Sequence, residues 1–179
     1  MKNIADEIGV DRTTIYLYFK NKEDIYLAIV LRGMRIRDKL YKESVKSEKS
    51  GLEKFGDIGK AYFEFYKNFP DYYEVCIYFD SQRFSKVNSE HMPEIIELKR
   101  EPIKIMCESL EEGINDGSIR AEINPLKVAL FISKTAMNIV KPDPDIVETL
   151  ENKGISYEEF IEDSFDMWRH MLENTPNKS

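Results

Sequence analysis

The chain has 179 residues, 42% of them apolar and 33% charged, with a formal net charge of −7. That is the profile of a globular chain with a sizeable core, and it excludes a membrane span, since no apolar run approaches roughly eighteen residues, and a signal peptide, so a cytoplasmic location is expected. Cys76 and Cys107 lie far apart without CxxC spacing, which suggests neither a disulfide framework nor a zinc site and leaves both as small buried hydrophobes.

The acidity is uneven. Residues 1–60 hold 13 Lys and Arg against 10 Asp and Glu, whereas residues 61–179 hold 13 against 23, a mildly basic head on an acidic body. Such asymmetry is what a nucleic-acid-binding head joined to a non-binding body would show. In the head, Ile4, Ala5 and Ile8 form one apolar face of a short helix, and Gly9 follows as a left-handed cap, with Val10 directed to the core. Asp11 is placed to cap a second helix in which Ile15 and Phe19 repeat at i and i+4. The pattern is a helix-turn-helix whose second helix is offered to a DNA groove.

The run Ile4-Ala5…Gly9-Val10…Thr14-Ile15-Tyr16-Leu17-Tyr18-Phe19-Lys20-Asn21-Lys22-Glu23-Asp24-Ile25 resembles the N-terminal domain of the TetR/AcrR family of transcriptional regulators. The resemblance implies an all-α, homodimeric, ligand-responsive regulator, expected to be a repressor, with no cofactor. It makes Arg12 and Thr13 base or phosphate contacts, Thr14 a phosphate contact, Tyr16 and Tyr18 aromatic backbone contacts, and Lys22 a phosphate contact at the next helix start. The family places a whole amphipathic helix ahead of this run, so the head, residues 1–45 with its connecting helix, is expected to be truncated at its N-terminus.

The connecting helix begins after the Asn21 cap, with Glu23 and Asp24 suiting its dipole, and runs roughly twenty residues. Ile25, Ile29, Ile36 and Leu40 mark its apolar stripe, Ala28 and Gly33 allow close approach, and Arg32, Arg35, Arg37 and Lys39 read as a solvated basic face. Lys46 to Gly51 reads as a loop and as the boundary with the body, residues 46–179.

In the body, Leu52, Phe55, Ile58, Gly59, Tyr62, Phe63 and Tyr66 have helical spacing until Pro70, and a further helix from about Asp71 carries Tyr72, Tyr73, Cys76, Ile77 and Phe79. Residues 62–84 hold ten aromatics, Tyr62, Phe63, Phe65, Tyr66, Phe69, Tyr72, Tyr73, Tyr78, Phe79 and Phe84. Most belong to core packing; the rest suit the wall of an apolar pocket, with Tyr hydroxyls and Cys76 as polar groups. By resemblance the pocket lies among these helices, and Phe63, Tyr66, Tyr73, Cys76, Phe79 and Met106 are its candidate residues, for a small apolar or aromatic effector.

Val87 to Met92, with Asn88 and Ser89, is a polar connection. The long helix that follows, Pro93 to Asp116, should kink or break at Pro102 and stop at Gly117. Asn124 and Pro125 open the next helix, Lys141-Pro142-Asp143-Pro144 closes it, and Ser156 with Glu159 forms a capping box for the last. These two helices are too apolar for a monomer surface. The resemblance makes them a four-helix dimer interface, with Phe131, Thr135, Phe165, Trp168 and Met171 as its residues. Two recognition helices on a two-fold axis would meet a near-palindromic operator of double-stranded DNA.

Against an enzyme, the chain has two histidines, His91 in a loop and His170 on the last helix, and shows no Gly-rich phosphate loop, metal-ligand cluster or nucleophile elbow. No catalytic residue and no metal are expected. The alternative reading is a helical small-molecule-binding module or an enzyme without DNA binding.

Overall fold

A computed structural model describes residues 1–81 and 89–175. Phe84, Val87 and Asn88 lie outside the described residues. Within them the chain is helical, in the order α1 (Lys2–Ile8), α2 (Arg12–Tyr18), α3 (Lys22–Ser44), α4 (Gly51–Asn68), α5 (Pro70–Ser81), α6 (Met92–Asn115), α7 (Pro125–Val140), α8 (Pro144–Glu151) and α9 (Tyr157–Leu172). One isolated antiparallel bridge, Ile119 to Glu173, ties the end of α9 to the turn after α6.

The two head helices are short and depend on their caps. Gly9 takes φ 68° and its N–H reaches the Ala5 carbonyl, while Asp11 and Asn21 cap α2 and α3 through the Thr13 and Asp24 N–H groups. Ala5 and Ile15 are buried between α1 and α2, but Val10 is 38% exposed and does not point inward. Ile8 and Leu17 are also exposed.

The connecting helix α3 packs against α4 and α6 of the body, which also pack against each other; α5 lies on α3, α7 on α6, and α9 on α4. The buried face of α3 is Leu27, Val30, Leu31, Met34 and Tyr41, a different stripe from the isoleucines expected, and Ile29 faces solvent. Gly51 is not a loop residue. It opens α4 behind a Ser50–Glu53 capping box, and a Cβ there would collide with the Gly113 backbone, so this glycine permits helix ends to touch. Asp116 completes the junction by accepting the Gly51 N–H at 2.8 Å.

Pro102 does not break α6, which is continuous across it. The Leu98 carbonyl, which the missing proline N–H leaves open, accepts a hydrogen bond from Arg37 Nη2 at 3.3 Å. Between α7 and α9 the sequence folds into the extra helix α8, opened by Asp143 and Pro144, with no buried residue of its own. Ser156 caps α9 through the Glu159 N–H.

Candidate functional site

The α2 surface is almost wholly solvent-facing: Ile15 is its one buried residue, and Arg12, Thr13, Thr14, Tyr16, Leu17 and Tyr18 are exposed. Asp11 Oδ1 accepts the Thr13 N–H at 2.7 Å, and Thr13, through its hydroxyl and its N–H, holds that carboxyl below the usual aspartate range. Arg12 reaches along the helix, donating from Nη2 to the Tyr16 hydroxyl at 3.2 Å with its guanidinium 5.4 Å from the ring centroid. Lys22 is exposed at the first turn of α3. Five of the six head positions therefore lie on α2 and the sixth, Lys22, at the start of α3, where exposed donors and aromatic faces can meet a phosphate backbone and base edges.

The head meets the body at Asp24, a carboxylate only 5% exposed. It accepts the Lys20 N–H at 3.2 Å and the Ser89 hydroxyl at 2.9 Å, and the His91 ring lies 3.9 Å away. Burial works against its charge, yet the hydrogen bonds from Ser89 and Lys20 and the nearby His91 and Lys20 prevail, leaving its pKa lowered.

Inside the body is a cavity of about 280 Å³ walled by α3, α4, α5, α6, α7 and α9. Tyr73, Cys76 and Met106 line it, together with Tyr41, Phe55, Tyr62, Phe65, Ile103, Phe165 and Trp168. The Tyr62 and Tyr73 hydroxyls are 3.2 Å apart, and the Cys76 thiol is directed at the Val30 carbonyl, 3.9 Å away. Burial pushes the Cys76 thiol up to about 11 and raises the phenols of Tyr41, Tyr62 and Tyr73, so all four are uncharged at neutral pH.

Phe63, Tyr66 and Phe79, also expected at a pocket, are not among the lining residues. The helix period explains this, because each residue turns about 100° from the last. On α4 the lining stripe runs through Phe55, Gly59 and Tyr62, so Phe63 is turned past it, stacked on Tyr66 at 6.2 Å, while Tyr66 backs Tyr73 edge-on at 5.1 Å. On α5 the stripe is Tyr73, Cys76, Ile77 and Asp80, and Phe79 is buried beneath the Lys99 ammonium, 5.6 Å from its centroid. Cys107, expected to be buried, is only half so.

The charged lining was not anticipated. Arg37, Lys99, Lys134 and Arg169 face the cavity with a single carboxylate, Asp80, which pairs with Lys99 at 2.8 Å. Arg37 belongs to the basic cluster read as solvated, yet it is half-buried and its Nε is sealed from solvent. The signal was available in the spacing: Arg37 stands three residues after Met34 and four before Tyr41, on the buried stripe itself.

On α7 and α9, Leu126, Phe131, Met167 and Met171 are exposed and do not line the cavity, whereas Leu130, also exposed, borders it. Phe131 and Met171 are thus outward, and Thr135, half-buried, donates its hydroxyl to the Phe131 carbonyl at 2.8 Å. Phe165 and Trp168 turn the other way, sharing the inward stripe of Ile161 and Leu172 and packing 5.4 Å apart at the cavity wall.

Residues 1–29 match the family model described as bacterial regulatory proteins, tetR family. Over 120 residues the chain is 30% identical to the fatty acid metabolism regulator protein of Bacillus subtilis, spanning 67% of this chain and 60% of that protein. Over 136 residues it is 26% identical to the HTH-type transcriptional repressor KstR2 of Mycolicibacterium smegmatis, spanning 75% and 64%. The chain thus matches less than two thirds of the length of these relatives. A crystal structure of the transcriptional regulator FadR from Bacillus subtilis in complex with stearoyl-CoA superposes with a TM-score of 0.68 at 22% identity, covering 96% of this chain and 88% of that one, a likeness of fold.

Proposed function

We propose, for a chain that belongs to the tetR family of bacterial regulatory proteins, the role of a homodimeric transcriptional repressor that binds a near-palindromic operator through α2 and is released by a small-molecule effector held in the body. The observation that carries this reading is α3. One helix of 23 residues bears the head at its start and contributes Arg37 and Tyr41 to the cavity wall. An effector that favours one placement of that wall over another shifts the head with it, and only such a difference in affinity couples the two sites. Exposed Arg12, Thr13, Thr14, Tyr16, Tyr18 and Lys22 supply the DNA contacts.

Two copies join through the apolar outer faces of α7 and α9, around Phe131 and Met171, which sets the two recognition helices on a two-fold axis. Similarity to a regulator crystallised with stearoyl-CoA supports an effector with an extended apolar part. At about 280 Å³ the cavity lies just below the roughly 300–1,000 Å³ of ligand pockets, space for a small ligand or one end of a longer one. The protein acts in the cytoplasm, where its operator is; no helix among the described residues is long and apolar enough to cross a membrane. No catalytic role is proposed, the relatives being regulators.

The test is a salt-dependent titration of the protein against its own promoter fragment, beside Tyr16→Ala. Specific binding that is lost in the variant supports the repressor reading. Absence of binding at low salt without effector would move the assignment to a helical effector-binding module.

A further inference from the structure

One half-buried cation of the cavity wall, Arg37, has no counterion among the described residues. Arg37 Nε is buried and has no hydrogen-bond acceptor, and Nη2 is engaged only by the neutral Leu98 carbonyl at 3.3 Å. Among the described residues no carboxylate lies within ion-pair distance of this guanidinium. Two positions earlier on the same helix, Arg35 shows what a satisfied arginine looks like here: Glu94 takes it with two contacts of 2.6 Å at the surface. The one carboxylate lining the cavity, Asp80, is already held by Lys99.

A guanidinium cannot neutralise itself by losing a proton, and a half-buried charge without a partner is unfavourable. Nearby Tyr41, Tyr62 and Cys76 stay neutral at physiological pH, so none of them supplies the missing anion. The Leu98 carbonyl, open because Pro102 has no N–H, fixes the guanidinium without discharging it. What remains is an aimed, half-buried charged donor, whereas the other lining cations without a carboxylate partner among the described residues, Lys134 and Arg169, are exposed to solvent. Carboxylates are its natural complement, since charge-assisted hydrogen bonds to arginine are the strong ones.

We infer that the effector is an amphiphilic free carboxylic acid, its carboxylate on Arg37 and its apolar remainder against Tyr62, Phe65, Phe165 and Trp168. This rests on the reading of the cavity as the effector site. It names the head group, and it distinguishes a free acid from a thioester of the same chain, which would offer Arg37 a neutral carbonyl.

Trp168 is the single tryptophan of the chain and lines the cavity, so its emission reports occupancy. The complete protein is titrated with octanoate, octanol and octanoyl-CoA, following Trp168 emission and calorimetry, beside Arg37→Met and Arg37→Lys. Octanoate should bind at least tenfold more tightly than octanol. Arg37→Met should weaken octanoate by about 10- to 100-fold, the range for a hydrogen bond to a charged group, and leave octanol within threefold, with Arg37→Lys between.

Equal affinity for octanoate and octanol in the wild type overturns the inference, as does unaltered octanoate binding in Arg37→Met. Loss of octanol along with octanoate in that variant gives Arg37 a purely structural role and overturns it too. Binding of octanoyl-CoA without octanoate overturns the head-group assignment while the effector cavity stands. Silence of Trp168 and of the calorimeter toward all three ligands removes the cavity reading itself.

Discussion

The Ser89 hydroxyl donates to the Asp24 carboxylate at 2.9 Å across 65 positions of sequence, while the Lys20 N–H donates to the other oxygen of the same group. The residue that closes the head and the residue that leads into α6 are thus held by one side chain, buried at 5% exposure. Asp24→Ala leaves the Lys20 and Ser89 donors without their acceptor. A loss of about 1–3 kcal/mol is expected, read as a lower urea midpoint, and operator affinity should fall with it because the head is no longer anchored to the body. The pH dependence has a definite sign. Asp24 is more acidic folded than unfolded, so its contribution is complete above the unfolded aspartate range and fades as pH falls through its lower folded value. Asp24→Asn should flatten that acid limb of the stability profile; an unchanged limb would show that the carboxylate does not carry the junction.

On α2 the guanidinium of Arg12 lies along Tyr16, held at the Tyr16 hydroxyl. If the pair addresses DNA, Arg12→Ala weakens operator binding about uniformly across sequence variants when its partner is a phosphate, lowering the salt slope by about one, and relaxes one operator position when its partner is a base. Electrophoretic titrations at several salt concentrations separate these. Body charges should not matter: Lys153→Ala, on the exposed turn after α8, is expected to leave both slope and affinity unchanged.

Two residues one turn apart on α9, one exposed and one at the cavity wall, give opposite expectations. Met171 is 49% exposed and Phe131 of α7 57%, whereas Trp168 is packed against Phe165 at the cavity. With the proposed interface, Met171→Asp or Phe131→Asp should give a monomer in sedimentation experiments where the unsubstituted protein sediments as a dimer, with the helical circular dichroism retained, since a charge in an interface core is left without a partner. Trp168→Ala should keep the dimer and instead lower stability by about 2–4 kcal/mol, reduced from a full core truncation by its partial exposure. A monomeric Trp168→Ala variant with full stability would place the interface on the other face.

The sequence carried the helices, their caps and the head with little loss, because those signals are local: Asp11, Asn21, Asn124 and Ser156 each cap the helix that follows. What it obscured are choices between two faces of one helix. On α3 the isoleucines suggested one stripe, but Gly33 lies against Tyr72 and Cys76 of α5, which turns Val30, Met34 and Arg37 toward the core and leaves Ile29 outside. A Cβ on Gly33 would stand 2.9 Å from the Cys76 sulfur, so that close approach fixes the rotation of the helix. The same ambiguity placed Phe165 and Trp168 at an interface when their spacing equally suits the cavity wall. Helix α8 escaped because its eight residues bury nothing of their own, and the loop assigned at Gly51 became a helix start because Gly113, 62 positions later, lets the two backbones meet.

Pro102 offers a prediction in which two effects oppose. A proline inside a helix ordinarily costs about 3 kcal/mol relative to alanine, through the lost hydrogen bond and the clash with the preceding turn. Here the carbonyl it leaves open is not bare, since Arg37 donates to it at 3.3 Å, so part of that deficit is already compensated. Pro102→Ala should therefore stabilise the protein, but by about 1 kcal/mol rather than the full value, as the N–H restored at this position takes over the Leu98 carbonyl and relieves the turn. The displaced guanidinium then has no fixed acceptor and adopts several orientations in the cavity. Thermal melts should show the gain in midpoint, and octanoate affinity measured on the same variant should drop severalfold, since ordering Arg37 becomes part of binding. A variant less stable than the wild type would mean that the Arg37 to Leu98 contact contributes more than a helix hydrogen bond does. One that is stabilised by the full amount would mean that the contact contributes nothing.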